Sequence, residues 1–145
     1  MEPDGLRVQT AGMCSTQSQL RPFDIFLVED SPMIRERLVA LLSPVEGMNL
    51  LGYADRSDTA VREIVAQRPD AVLLDLNLAS GSGIDVLRAL RVQAPEVDVF
   101  VLTNFANPQY RRLCESLGAR GFFDKTTEFE KVRDAIAVRA GQHFH

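Results

Sequence analysis

From Phe23 onward, short apolar runs alternate five times with stretches whose apolar residues recur at helical spacing. The runs fall at about 24–29, 49–54, 71–75, 97–103 and 121–123. Two of them, Ala71-Val72-Leu73-Leu74-Asp75 and Val99-Phe100-Val101-Leu102-Thr103, hold no polar residue before their last position. A strand covered on both faces reads this way, whereas a half-solvated antiparallel strand alternates apolar with polar. Regular strand–helix alternation predicts an α/β fold with a parallel sheet. Right-handed crossovers then make it a doubly wound, five-stranded sheet in order 2-1-3-4-5, with helices on both faces.

The residues between the runs punctuate the helices. Ser31-Pro32 supplies an N-cap and a proline at the first helical position, followed by an apolar stripe of Ile34, Leu38, Leu41 and Leu42. Ser57 or Asp58 caps a second helix, which turns Val61, Ile64 and Val65 inward and stops at Pro69. Gly81 and Gly83 mark a loop before a third helix striped by Ile84, Leu87 and Leu90. Pro108 opens a fourth with Tyr110, Leu113, Cys114 and Leu117, closed by Gly118 at C′. Phe129, Val132 and Ile136 stripe the last, which is expected to end near Gly141. Residues 1–21 are polar and aperiodic and read as a flexible leader. Residues 22–141 form one domain, and 142–145 an exposed tail holding His143 and His145. Arg111 and Arg112 fall on the polar side of the fourth helix and are expected to be solvated.

Bulk properties narrow the function. A net charge of -4 argues against direct, broad nucleic-acid binding. No apolar stretch approaches the roughly 20 residues of a membrane span, and no secretory signal opens the chain. With Cys14 and Cys114 as its two cysteines, the chain reads as a reduced, cytoplasmic protein away from membranes.

Polar groups close the runs. Glu29-Asp30 follows the first, Asp75 ends the third, Thr103 the fourth, and Lys125 lies just past the fifth. Ligands of such sheets bind off the carboxyl ends of the strands, so three carboxylates, a hydroxyl and an ammonium converge there. Hard oxygen donors suit Mg²⁺, and Glu29, Asp30 and Asp75 can supply part of its shell. A carboxylate can also attack phosphorus and form an aspartyl-phosphate. Lys125 would neutralise phosphoryl charge, and Thr103 would donate a hydrogen bond to the same group. The Glu29-Asp30-Ser31 stretch equally suits the start of a helix.

These residues resemble the receiver domain of two-component response regulators over about 23–140, a flavodoxin-like fold. The resemblance makes Glu29-Asp30 the acidic pair, Asp75 the phospho-acceptor, Thr103 the switch hydroxyl and Lys125 the site lysine. It also assigns the Asn77 backbone carbonyl to the Mg²⁺ shell. Phe122 becomes an aromatic switch position, open equally to a plain core role. Gly118-Ala119-Arg120-Gly121-Phe122-Phe123 and Tyr53-Ala54-Asp55 are similar to receivers that carry helix-turn-helix outputs, although the chain stops after the fifth helix. A stand-alone receiver and an excised fragment both fit. The resemblance implies a phosphorylation-activated switch that catalyses only its own phosphorylation and dephosphorylation. It implies a sensor histidine kinase or phosphotransfer protein as donor, since no histidine lies in the folded body. It further implies a downstream protein target on the face of the fourth helix, fifth strand and fifth helix, and a possible homodimer.

Ala79, Asn104 and Thr126 depart from the family pattern. Asn104, expected to line the site, would narrow access to Asp75. Two other readings remain open. One is a receiver-like binding module that works without phosphate. The other is a haloacid-dehalogenase-like phosphatase, which needs a general-acid Asp where this chain has Asn77.

Overall fold

The computed structural model describes residues 21–78 and 80–143. Five strands alternate with five helices: β1 (Phe23–Val28), α1 (Pro32–Leu42), β2 (Met48–Ala54), α2 (Ser57–Gln67), β3 (Ala71–Asp75), α3 (Gly83–Gln93), β4 (Asp98–Thr103), α4 (Pro108–Ser116), β5 (Gly121–Asp124) and α5 (Phe129–His143). All strand pairs are parallel, in the order β2-β1-β3-β4-β5. This is the sheet expected from the apolar runs.

Period-two alternation along each strand divides the core into two layers. Phe23, Ile25, Leu27, Ala71, Leu73, Phe100 and Leu102 pack beneath α1 and α5, against Leu38, Leu42, Val132 and Ile136. Their strand neighbours Phe26, Val28, Val72, Leu74, Val99 and Val101 pack on the other face, against Ile64 of α2, Leu87 and Leu90 of α3 and Cys114 of α4. Edge strand β2 carries a bulge, because Ile25 faces Leu50 while Phe26 faces Gly52. No helix among the described residues is long and apolar enough to cross a membrane.

Local signals held at α1, where Ser31 Oγ accepts from the Ile34 N–H at 3.3 Å ahead of Pro32. They held at α4, which Pro108 opens and after which Gly118 takes φ +91°; the structure adds Asn107 as N-cap, its side chain accepting from the Tyr110 N–H at 2.8 Å. Two expectations need correction. The N-cap of α2 is Arg56 in extended conformation, and neither Ser57 nor Asp58. The Ser57 N–H donates instead to Ser80 O, 3.1 Å away in the loop after β3, so a distant backbone group does the capping. The last helix runs two residues past the expected Gly141, to His143. His143 is no exposed tail residue: its ring nitrogen Nε2 lies 3.1 Å from Arg21 O, and its ring meets Phe23 edge-on. Arg21 also pairs with Asp70. The remainder of the leader, Cys14, Ala79 and His145 lie outside the described residues, whereas Cys114 is buried and free.

Candidate functional site

Neighbouring strands end within one residue of each other in register, so the residues that follow β1, β3, β4 and β5 share one rim. Glu29 sits directly after β1, where its N–H donates to Ala54 O at 3.0 Å and its carbonyl accepts from Arg35 at 2.8 Å. Asp75 is the last residue of the central strand β3. Lys125 follows β5, with its N–H donating to Thr103 O at 2.9 Å. Two loops keep these groups in place. Gly83 opens α3 against the back of Asp75, where a Cβ would come within 2.3 Å of Asp75 O. The loop holding Lys125 is fixed by Asp124 Oδ1, which accepts from the Thr126 N–H at 2.7 Å and the Thr126 hydroxyl at 2.6 Å. Thr126 thus contributes two hydrogen bonds that a proline there could not make.

Lys125 Nζ stands 2.8 Å from Glu29 Oε1 and 3.2 Å from Asp75 Oδ2. All three side chains are buried. Asp75 Oδ1 accepts from the Asn77 N–H at 3.1 Å, and Glu29 Oε2 from the Ser31 N–H at 3.2 Å. Burial pushes the Glu29 carboxyl above its ordinary range against the opposing Lys125 bond, and the nearby Asp75 charge adds to the rise. Burial likewise raises Asp75, with Lys125 opposing. One ammonium facing three carboxylates leaves negative charge uncompensated in a desolvated place.

That imbalance is what a divalent cation would relieve. Carboxylate oxygens of Glu29, Asp30 and Asp75 lie within 4.8 Å of one another. Glu29 Oε1 is buried and meets Lys125 as an ion pair but accepts no aligned hydrogen bond. An all-oxygen donor set with one unsatisfied buried acceptor fits a hard cation, so the cluster could hold a metal ion.

A cavity of about 560 Å³ opens over this floor, lined by Glu29, Asp30, Asp75, Asn77, Asn104 and Lys125 together with Ser31, Ile34, Arg37, Thr126 and Phe129. Five of the expected site residues and Asn104 therefore share one cavity. Thr103 and Phe122 do not. Thr103 is fully buried, and its Oγ1 accepts from the Phe105 N–H at 3.0 Å within the loop after β4. Phe122 is buried in the layer under α2, α3 and α4, already inside and not waiting to turn in. Arg111 is exposed, as expected, and in addition lies over that ring at 4.8 Å and donates to Phe122 O at 3.4 Å.

Sequence reasoning missed Gly83, Asp124 and Arg37 as groups that shape the site. A glycine opening a helix beside the strand-end Asp was the available signal for the first. Asp124-Lys125-Thr126-Thr127, an acidic residue ahead of hydroxyl residues, was the Asx-turn signal for the second. Arg37 carried no signal.

The chain matches known proteins over this same region. The response regulator receiver domain family model matches residues 25–137. The transcriptional regulatory protein YvfU of Bacillus subtilis is 31% identical over 112 residues, 77% of this chain and 56% of that protein. The DNA-binding transcriptional activator DevR/DosR of Mycobacterium tuberculosis is 30% identical over 119 residues, 81% of this chain and 55% of that one. The chain thus spans about half the length of the curated relatives it matches. A LuxR-family two-component response regulator from Aurantimonas sp. SI85-9A1 superposes with TM-score 0.74 at 26% identity, over 83% of this chain and 86% of its own. With its parallel sheet, its acidic cluster and this match, the chain belongs to the response regulator receiver domain family.

Proposed function

We propose that this chain is a phosphorylation-driven switch in which Asp75 accepts a phosphoryl group from the phosphohistidine of a sensor histidine kinase or phosphotransfer protein. The observation that carries the reading is the Asp75 carboxylate itself. It ends the central strand, lies 3.2 Å from Lys125 Nζ, and shares the cavity floor with two further carboxylates.

In the transfer, an Asp75 carboxylate oxygen bonds to phosphorus as the donor's N–P bond breaks, and the electron pair stays on the imidazole nitrogen. The Asn77 N–H on Oδ1 orients the nucleophile. Lys125 shifts its charge from the carboxylates to the transferred phosphoryl oxygens, as a compact ammonium on a flexible stem can. Glu29, Asp30 and Asp75, with the Asn77 carbonyl, would hold Mg²⁺. When bound, that ion supplies positive charge offsetting the repulsion between anionic nucleophile and phosphoryl group. No separate general base is required, because positioning and electrostatics carry such transfers.

Signalling then depends on Thr103. Its hydroxyl leaves the Phe105 N–H and turns to the phosphoryl group, and the loop after β4 moves with it. This is a two-state element biased by a local charge change. Phe122 transmits the movement by repacking under Arg111, on the face formed by α4, β5 and α5 where a protein target would dock.

Intact mass after incubation with acetyl phosphate and Mg²⁺ tests the reading. A single phosphoryl adduct, absent in Asp75→Asn and in chelator, is expected. A folded chain that takes up no adduct would select the phosphate-independent binding module, with Asn104 on the cavity wall the first residue to substitute.

A further inference from the structure

The cavity over Asp75 has one charged wall residue that the transfer does not use. Arg37 reaches it from α1, and Phe129 from α5 lies beside it. The same two residues line a neighbouring cavity of about 730 Å³ on the outer side, between α1 and the start of α5. Arg37 therefore stands where the acidic floor meets the open side.

Its guanidinium lies over the Phe129 ring, 4.3 Å from the centroid. That stack is the partner contact Arg37 makes among the described residues; no carboxylate pairs with it. The other cation of the wall, Lys125, is held by Glu29 and Asp75. Stacking on an aromatic face occupies the flat side of a guanidinium and leaves its N–H edge available. It also restrains the side chain from folding onto the carboxylates that would neutralise it. A planar fork of N–H donors, charged at every relevant pH, matches two oxygens of a phosphoryl group.

We infer that Arg37 is a second phosphoryl-binding cation of this site, receiving the oxygens of the donor's phosphoryl group at the cavity mouth before transfer to Asp75. The inference rests on the reading of Asp75 as phospho-acceptor. Its ligand class is a terminal phosphoryl group with at least two free oxygens, on a small acyl phosphate or on phosphohistidine. Arg37 binds the donor; Lys125 and Asp75 carry out the transfer.

The test is the second-order rate constant for adduct formation by intact mass, with acetyl phosphate and with phosphoramidate, at fixed Mg²⁺. Arg37→Gln is expected to lower it about tenfold with both donors, the factor that 1.4 kcal/mol represents and a charge-assisted hydrogen bond supplies. Arg37→Lys, which keeps the charge and loses the fork, is expected to recover part of the loss. The gap should narrow as salt rises from low to physiological strength. A separate readout is the Arg37 Nε–H resonance during titration with inorganic phosphate, which is expected to shift and saturate. Rates within twofold of the unsubstituted chain at low salt, or a resonance that stays in place, would overturn the inference. A defect confined to a protein phosphodonor would also overturn it, making Arg37 a protein contact. Failure of the unsubstituted chain to form any adduct would overturn the reading of Asp75, and this inference with it.

Discussion

Lys125 Nζ stands 3.2 Å from Asp75 Oδ2, with 8% of one side chain and 5% of the other exposed to solvent. The same ammonium reaches Glu29, itself 2% exposed. A buried pair of this kind adds little net stability over an apolar replacement of both partners, yet removing one partner strands the other. Lys125→Met is therefore expected to destabilise the metal-free chain by about 3 kcal/mol, and by less when Mg²⁺ is present. Denaturant midpoints with and without Mg²⁺ measure this. Equal midpoints for variant and parent in chelator would contradict it.

Burial raises the Asp75 carboxyl above its ordinary range. A group whose pKa is higher folded than unfolded favours folding below its unfolded value, and that contribution is lost as pH rises through the folded value. Asp75→Asn abolishes the titration while Lys125 keeps Glu29 as partner. The variant should gain stability relative to the parent as pH climbs from below the ordinary carboxylate range, then level off above the raised pKa. Chemical denaturation in chelator across acid to neutral pH reads the difference. A pH-independent difference would refute the argument.

Gly83 touches the back of Asp75, and a Cβ there would approach Leu76 Cα within 2.5 Å as well as the Asp75 carbonyl. Both neighbours are backbone, so no side chain can swing aside. Gly83→Ala is expected to cost about 2 kcal/mol or more, as overpacking does, and to slow adduct formation by displacing the nucleophile. A parent-like melting temperature would show that the turn relaxes freely.

Thr103 Oγ1 and the Phe105 N–H are joined at 3.0 Å. Thr103→Val keeps the shape and removes the acceptor, for an expected loss of about 1 kcal/mol. The Asp75 adduct should still form, whereas the amide resonances of residues 104–107 should no longer move on phosphorylation. Parent-like shifts in the variant would take Thr103 out of the switch.

Most of the fold was legible because its determinants are local. The runs ending in Asp75 and Thr103 announce doubly covered strands, and Ser31-Pro32 and Pro108 announce helix starts, the first through a bond spanning three residues. The failures are places where a distant segment supplied the partner. Arg56 caps α2 without a side-chain bond because Ser80 O meets the Ser57 N–H. His143 docks on Arg21 and Phe23 at the far end of the sheet.

The amino-acid sequence by itself determined the parallel sheet, its strand order, and the rim on which Glu29, Asp30, Asp75 and Lys125 meet. Those follow from side-chain periodicity and from which residue ends each apolar run, properties carried within a few positions of the chain. Only the tertiary structure decided which partners those groups chose. Lys125 is shared by two carboxylates, Thr103 is bonded into its own loop, Phe122 is buried beneath Arg111, and Arg37 is held on Phe129. Each outcome is a competition among groups brought together from separate strands and helices, and burial sets its result by making every unpaired charge and hydrogen-bonding group costly.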